Sequence, residues 1–445
     1  MKLKQYSKYK SSGSDFFENI PVEWNISKLK FLISSLESGK RENIDLLTDD
    51  DNTVFSLGGE HINWNGTLNL KNKRFVSENY YNSMNNGKIA ENDILLVKDG
   101  ATIGKTAFVK NKPYSKMAVN EHVFIIRSNN KIESKLLYYL ISSDIGFTQI
   151  KLTETGSAQG GINSEFISQV NFPLNYDKEE QTKIVNFLDK KIEDINSLIV
   201  KNKKLIQLLE EKRTSLINHV VTCGLNPNVK MKDSGIEWIG EIPENWEIRK
   251  LKSILNSKAQ YGANEEPEDD ETKHNYRYVR ITDINDLGEL RTDSLAFLSE
   301  KSSKGFILGE GDVLFARSGA TVGKTYIYSK NDGDCSFAGY LIRYKSNENI
   351  LLPKLLFYFS QSESYWQWIS LASTQSTIEN VSADKYNEMP LPIPQSDIQN
   401  NMITFLDKKN NLFLHLSKKI GDNINLLEEY KKSLIYNVVT GKIKI

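Results

Sequence analysis

The sequence predicts an α/β (α+β) chain in tandem repeat: two globular regions, each followed by one long helix. Three observations lead there. Residues 180–221 carry apolar side chains at heptad spacing. A second stretch, 397–439, repeats that pattern and several of its words. The globular stretches that precede the two helices match each other phrase by phrase and in one order, which chance identity of short words does not produce.

The first phrase is SGSDFFENIPVEWNISKLK at 12–30, answered by SGIEWIGEIPENWEIRKLK at 234–252. Pro21 stands opposite Pro243, and Trp24 opposite Trp246. A looser match follows, with Ile62 and Gly66 corresponding to Ile284 and Gly288. Then DILLVKDGATIGKTAFV at 93–109 is matched by DVLFARSGATVGKTYIY at 312–328. KLLYYL at 135 pairs with KLLFYF at 354, FPL at 172 with MPL at 389, and each long helix runs into VVT. Within a globular region, 94–97, 106–109 and 123–126 are short β-rich runs bounded by turn residues, and the stretch from 135 reads as a short helix. A mixed sheet follows. The boundaries are a first globular region at 1–178, a helix at 179–222, a linker at 223–233, a second region at 234–396, and a helix with tail at 397–445.

On the first helix the apolar stripe runs through Leu188, Ile195, Leu198, Leu205, Leu209 and Leu216, with Asn202 where the register wants an apolar residue. On the second it runs through Leu406, Phe413, Leu416, Ile420, Leu427 and Leu434. FLDKK occurs at 187–191 and 405–409, and LLEE at 208–211 and 426–429. Roughly forty helical residues make a rod of about 60 Å, too long to lie buried inside one ordinary domain. Each stripe needs a partner, and the other helix is the obvious one. Asn202 lowers stability while disfavouring slipped pairings.

Composition narrows the function. Lys plus Arg equal Asp plus Glu at 57 each, so no global charge announces nucleic acid or an anionic membrane. Affinity for DNA has to come from local patches or from a partner's surface. No run of apolar residues is long enough to span a bilayer, and residues 1–10 lack the apolar core of a signal peptide, so a cytoplasmic location is expected. Cys223, Cys335 and five scattered histidines support neither a disulfide framework nor a structural zinc site.

GATIGKT at Gly100 and GATVGKT at Gly319 invite comparison with a phosphate-binding P-loop. Only three residues separate the glycines, Asp99 and Ser318 stand where the first glycine belongs, and strand-like sequence lies on both flanks rather than a helix on one. Two readings remain: a glycine-bearing β-turn with a surface lysine, or a loop carrying Lys98, Thr102 and Lys105, and Arg317, Thr321 and Lys324, toward DNA phosphates or bases. A second candidate patch is Glu60 and His61, near Trp64, with Arg277, Arg280, Thr282 and Asp283 in the second region. A third is Ser157 and Gln159 in TGSAQGGIN, with Thr374 and Gln375 in ASTQSTIEN. Such side chains also populate ordinary loops. His219 and His415 ride on the helices as packing or surface residues, and the acidic run 265–271 reads as a solvated loop. Catalytic signatures are lacking: there is no methyltransferase tetrapeptide, HExxH, CxxC pair or nuclease carboxylate cluster.

With the repeat laid out, the chain resembles the specificity (DNA-recognition) subunit of Type I restriction-modification systems, on SGIEWIGEIPENW, DVLFARSGATVGKT and the FLDKK…LLEE…SLI helices. The resemblance implies two target-recognition domains, each reading one half of a split double-stranded DNA site, and two helices paired as an antiparallel coiled coil. It implies a non-catalytic chain without a cofactor of its own. Partners would be two adenine methyltransferase subunits that use S-adenosylmethionine and two restriction subunits, motor and nuclease, that use ATP and Mg. Two rivals share parts of the pattern: the recognition subunit of a fused nuclease-methyltransferase system, and a coiled-coil scaffold without DNA specificity.

Overall fold

The computed structural model describes residues 4–40, 52–156, 160–267, 276–293, 295–373 and 380–445. Its helices are α1 (Glu78–Ser83), α2 (Ser134–Ser142), α3 (Asp144–Leu152), α4 (Lys178–Cys223), α5 (Glu300–Ser303), α6 (Pro353–Phe359), α7 (Glu363–Ser373), α8 (Ala383–Asn387) and α9 (Ser396–Val439). The chain forms two compact units. One comprises Met1–Lys201 with Asp422–Ile445, the other Asn202–Gly421. Each unit therefore takes in one end of α4 and the opposite end of α9.

In the first unit, Ile33–Ser38, Val123–Ser128, Ile94–Val97 and Thr106–Phe108 lie side by side, in that order, as an antiparallel sheet. A second sheet places Thr53–Leu57 between Phe75–Ser77, antiparallel, and Met117–Val119, parallel, so the region is mixed as expected. The second unit repeats both: Gln260–Tyr261, Leu341–Tyr344, Val313–Ala316 and Thr325–Ile327, then Tyr276–Val279 between Phe297–Leu298 and Cys335–Phe337. The all-apolar runs Ile94–Val97 and Val313–Ala316 are buried along their whole length, because each is covered on both faces. Asp93 and Asp312 start these strands and are buried; each carboxylate accepts the backbone N–H of the residue three before it, Ala90 at 2.8 Å and Gly309 at 2.9 Å.

The repeated words tie the helices to the globular cores. Tyr139 of α2 donates its hydroxyl to Asp189 of FLDKK, and Tyr358 of α6 donates to Asp407 of the second FLDKK at 2.5 Å. Gln181 accepts from the Glu133 N–H at 2.8 Å, and Gln399 from the Leu352 N–H at 2.9 Å. These long-range bonds fix how each helix leaves its globular region.

Two contacts set the helix pairing as antiparallel. Lys431 Nζ, late in α9, bonds Asn196 Oδ1, early in α4, at 3.2 Å; this lies in the first unit. Arg213 Nε, late in α4, bonds Asn410 Oδ1, early in α9, at 2.5 Å; this lies in the second. Leu188, Ile195, Leu406 and Leu434 are buried, and Asn202, Leu209, Leu216, Phe413, Ile420 and Leu427 are half-buried, so one column of each expected stripe faces inward. The other column needs correction. Leu198, Leu205 and Leu416 are 49%, 45% and 37% exposed. The inward column instead runs through Ile192, Ile199, Ile206, Arg213 and Val220, and through Ile403, Asn410, Ser417, Ile424, Lys431 and Val438. The leucines lie one residue off a 3.5-residue period, and the polar residues that occupy the true column hide it.

Candidate nucleic-acid interface

Both GAT loops are hairpin turns between antiparallel strands, which removes the helix opening a P-loop requires. Their backbone bonds match residue for residue. Ile103 N–H donates to Gly100 O, Gly104 to Val97 O and Lys105 to Thr102 O; Val322 donates to Gly319 O, Gly323 to Ala316 O and Lys324 to Thr321 O. Gly104 and Gly323 have φ of 90° and 87°, and a Cβ there would stand 2.4 Å from Phe147 and 2.8 Å from Trp366. Glycine is needed for the conformation and for the close approach of α3 or α7.

The third polar stretch is tied to this loop in each unit. Asp99 bridges Gly161 and Ile162 N–H donates to Lys98 O at 2.7 Å; Ser318 bridges Asn380 and Val381 N–H donates to Arg317 O at 2.8 Å. Ser157, Gln159, Thr374 and Gln375 themselves lie outside the described residues. In the first unit Glu60, Thr102, Asp99, His122 and Gly161 line one open cleft of about 490 Å³, so parts of all three sequence patches converge.

Individual candidates fare differently. Lys98 lies over the Phe124 ring at 4.9 Å and Lys105 over Trp64 at 5.6 Å. Arg317 stacks on Tyr261 at 4.8 Å, with its Nε enclosed and without a hydrogen-bond partner among the described residues. Thr321 Oγ1 donates to Ser318 O at 3.2 Å, and Lys324 pairs with Asp286 at 2.7 Å. Glu60 pairs with Arg74 at 3.0 Å on the cleft rim, and Thr282 is exposed.

His61 and Asp283 are corrections. Both are buried, at 0% and 1% exposure, and each caps the tight turn it ends. His61 Nδ1 takes the Gly58 N–H at 2.8 Å while its other nitrogen bonds Asn72 O; Asp283 takes the Arg280 N–H at 2.9 Å and pairs with the Arg280 guanidinium. Such enclosed groups have no face left for a base. Arg277 lies on the mixed sheet and donates to Arg291 O.

The sequence reading missed His122 and Tyr340. Their carbonyls both accept, at 3.0 Å, the N–H of the residue that starts the loop, Lys98 or Arg317. His122 Nδ1 meets Asp99 Oδ1 at 2.6 Å, and Tyr340 is 60% exposed. The available signal was position: each immediately precedes the apolar run that pairs with the loop's first strand. Among the described residues no cluster of three or more His, Cys, Asp or Glu is arranged to hold a metal ion, and no helix is long and apolar enough to cross a membrane.

Comparison with known proteins places this arrangement. The family model for the Type I restriction modification DNA specificity domain matches twice, at residues 21–210 and 243–426. The Type I restriction enzyme MjaVIII specificity subunit of Methanocaldococcus jannaschii is 24% identical over 365 residues, covering 80% of each chain. The putative MjaX specificity subunit of the same organism is 24% identical over 255 residues, 56% of each chain. A solved chain from work on complex assembly and conformational transition of the type I R-M system superposes with a TM-score of 0.73 at 15% identity, over 95% of this chain and 99% of that one. The HsdS subunit from Thermoanaerobacter tengcongensis gives 0.52 at 15% identity, over 95% and 98%. With two family matches that together span most of its length, and a fold built twice around the same pair of hairpin loops, the chain belongs to the Type I restriction-modification DNA specificity family.

Proposed function

We propose that this chain is the non-catalytic subunit that reads a bipartite, asymmetric duplex site and docks two methyltransferase subunits and two restriction subunits. S-adenosylmethionine would belong to the methyltransferases, and ATP with Mg to the restriction subunits. The observation that carries the reading is equivalence of place with difference of chemistry. Lys98, Asp99, His122 and Glu60 of the first unit occupy the positions of Arg317, Ser318, Tyr340 and Thr282 in the second. One scaffold presenting two donor and acceptor sets supports two different half-sites. Tandem units also offer two similar faces to two copies of a partner. The paired helices would set the gap between half-sites, as rigid spacers do in other recognition proteins. Because the formal net charge is zero, the partners would share in holding the phosphate backbone.

The test is single-molecule methylation mapping of DNA from a host carrying this chain with its neighbouring methyltransferase gene, against a host lacking this chain. A split adenine motif that appears only with the chain is expected. Loss of the motif's first half alone on exchanging residues 98–102 would assign that half to the first unit. An assembled complex that methylates no defined motif would overturn the reading in favour of a protein scaffold.

A further inference from the structure

The inward column of α4 contains one charged residue whose contacts reach beyond the paired helix. Arg213 is 8% exposed, and burial pushes its proton affinity down. Its Nε is bonded to Asn410 and its Nη2 to Gln361, so two corners of the guanidinium are committed. The third, Nη1, has no hydrogen-bond partner among the described residues and is not sealed in protein. Arg213, Thr214, Asp286, Lys324, Gln361 and Trp366 surround a cavity of about 140 Å³ within the second unit. Three of the side-chain acceptors in its wall are engaged. Gln361 Oε1 takes Arg213, Asn285 Oδ1 takes the N–H groups of Leu287 and Glu289 at 2.9 Å, and the Asp286 carboxylate is paired with Lys324. Nη1 of Arg213 is left without a partner among the described residues beside this space, where Lys324 and the largely exposed Asp286 pair with each other.

The first unit carries different residues at most of the matching positions. Trp64 occupies the position of Asp286, Lys105 that of Lys324, Phe147 that of Trp366, and Lys431 that of Arg213. There the indole packs edge-on against Phe147 at 5.9 Å and carries Lys105 over its face, while Lys431 is paired with Glu428 three residues earlier at 2.6 Å. The counterpart of Glu428 is Glu210, and it forms no ion pair with Arg213 among the described residues. One unit places a largely exposed aromatic ring at this position and pairs its cation with a carboxylate. The other leaves both undone.

We propose that this cavity binds a phosphate-class oxyanion, held by Arg213 Nη1 and Lys324. A planar guanidinium already fixed at two corners is preorganised for such a ligand, and the enclosure screens it less than bulk water would. The anion has two possible sources, free phosphate or a phosphate of the DNA backbone. Only the second rests on the DNA-reading proposal above.

The test uses the full chain, with inorganic phosphate as probe at constant ionic strength and chloride as control, in three forms: wild type, Arg213→Gln, and Lys324→Gln. Each variant removes one of the two proposed ligands and leaves the other in place. If the source is free phosphate, the melting temperature of the wild type rises saturably by about 3 °C or more at tenfold excess over Kd, and neither variant responds. If the source is DNA, phosphate has no effect, and both variants lower the slope of log affinity against log salt by about one on a duplex carrying the mapped motif. A phosphate response that survives in either variant, or no response together with an unchanged salt slope, overturns the site. Failure of the mapping experiment leaves the phosphate arm standing.

Discussion

At the scale of single residues, the repeated tyrosine–aspartate pairs give the clearest expectation. Tyr139→Phe removes the hydroxyl donor to the Asp189 carboxylate, and Tyr358→Phe removes the one to Asp407. Each change removes a hydrogen bond to a charged group and is expected to lower stability by about 1.5–3 kcal/mol in urea denaturation. A loss below about 0.5 kcal/mol would show that Lys135 or Lys354, which approach the same carboxylates at 3.9 Å and 2.8 Å, carry the link instead. The repeated FLDKK and KLLYYL words were visible in the sequence, but not that they bond each other. The site was legible to a similar depth. Lys98, Thr102 and Arg317 were picked out because they flank a Gly-rich loop that occurs twice. His61 and Asp283 were misread, since nothing local tells a capping side chain from an exposed one. His122 and Tyr340 went unread because each enters the site through a backbone bond made across the sheet.

At the scale of elements, the two long helices separate a correct pattern from a correct face. Their extent was readable to within about two residues, because only a continuous helix keeps apolar residues at heptad spacing over so many turns. The face was only half readable. Arg213, Asn410, Ser417 and Lys431 stand in the buried column, so a rule that seeks leucines selects Leu198, Leu205 and Leu416, which look outward. Paired substitutions check this. Ile199→Asp buries a charge and is expected to cost about 3 kcal/mol or more, whereas Leu198→Asp, one residue away, is expected to stay within about 0.5 kcal/mol. Equal losses in thermal or denaturant melts would return the leucines to the interface.

At the scale of the whole molecule, both units bury tyrosines that hold their protons. Burial raises the hydroxyls of Tyr139, Tyr344, Tyr358, Tyr365 and Tyr386 above the ordinary 10.0, helped at Tyr139 and Tyr358 by the carboxylates they bond. An unfolded chain would ionise them near that value. Their contribution is therefore fully present below about pH 10 and lost as pH climbs above it, because the unfolded state then releases protons the folded state keeps. Alkaline titration is expected to show a late, cooperative rise of tyrosinate absorbance at 295 nm, coincident with loss of circular dichroism. Ionisation of all twenty tyrosines near pH 10 with the fold intact would contradict the burial. The tandem architecture was legible at this scale from the ordered phrases. The exchange of helix ends between units was not, since it depends on which halves of two similar helices meet.

That exchange governs how the protein comes into being. The first unit needs Leu434, Val438 and Val439 in its core, where they join the cluster of Leu188 and Ile195. The second unit needs nothing beyond Gly421. During translation, the stretch made later is therefore the one that completes first. The stretch made earlier stays open at its helix until residues 434–439 have been made, so a chain cut before Leu434 would leave the core of the first unit incomplete.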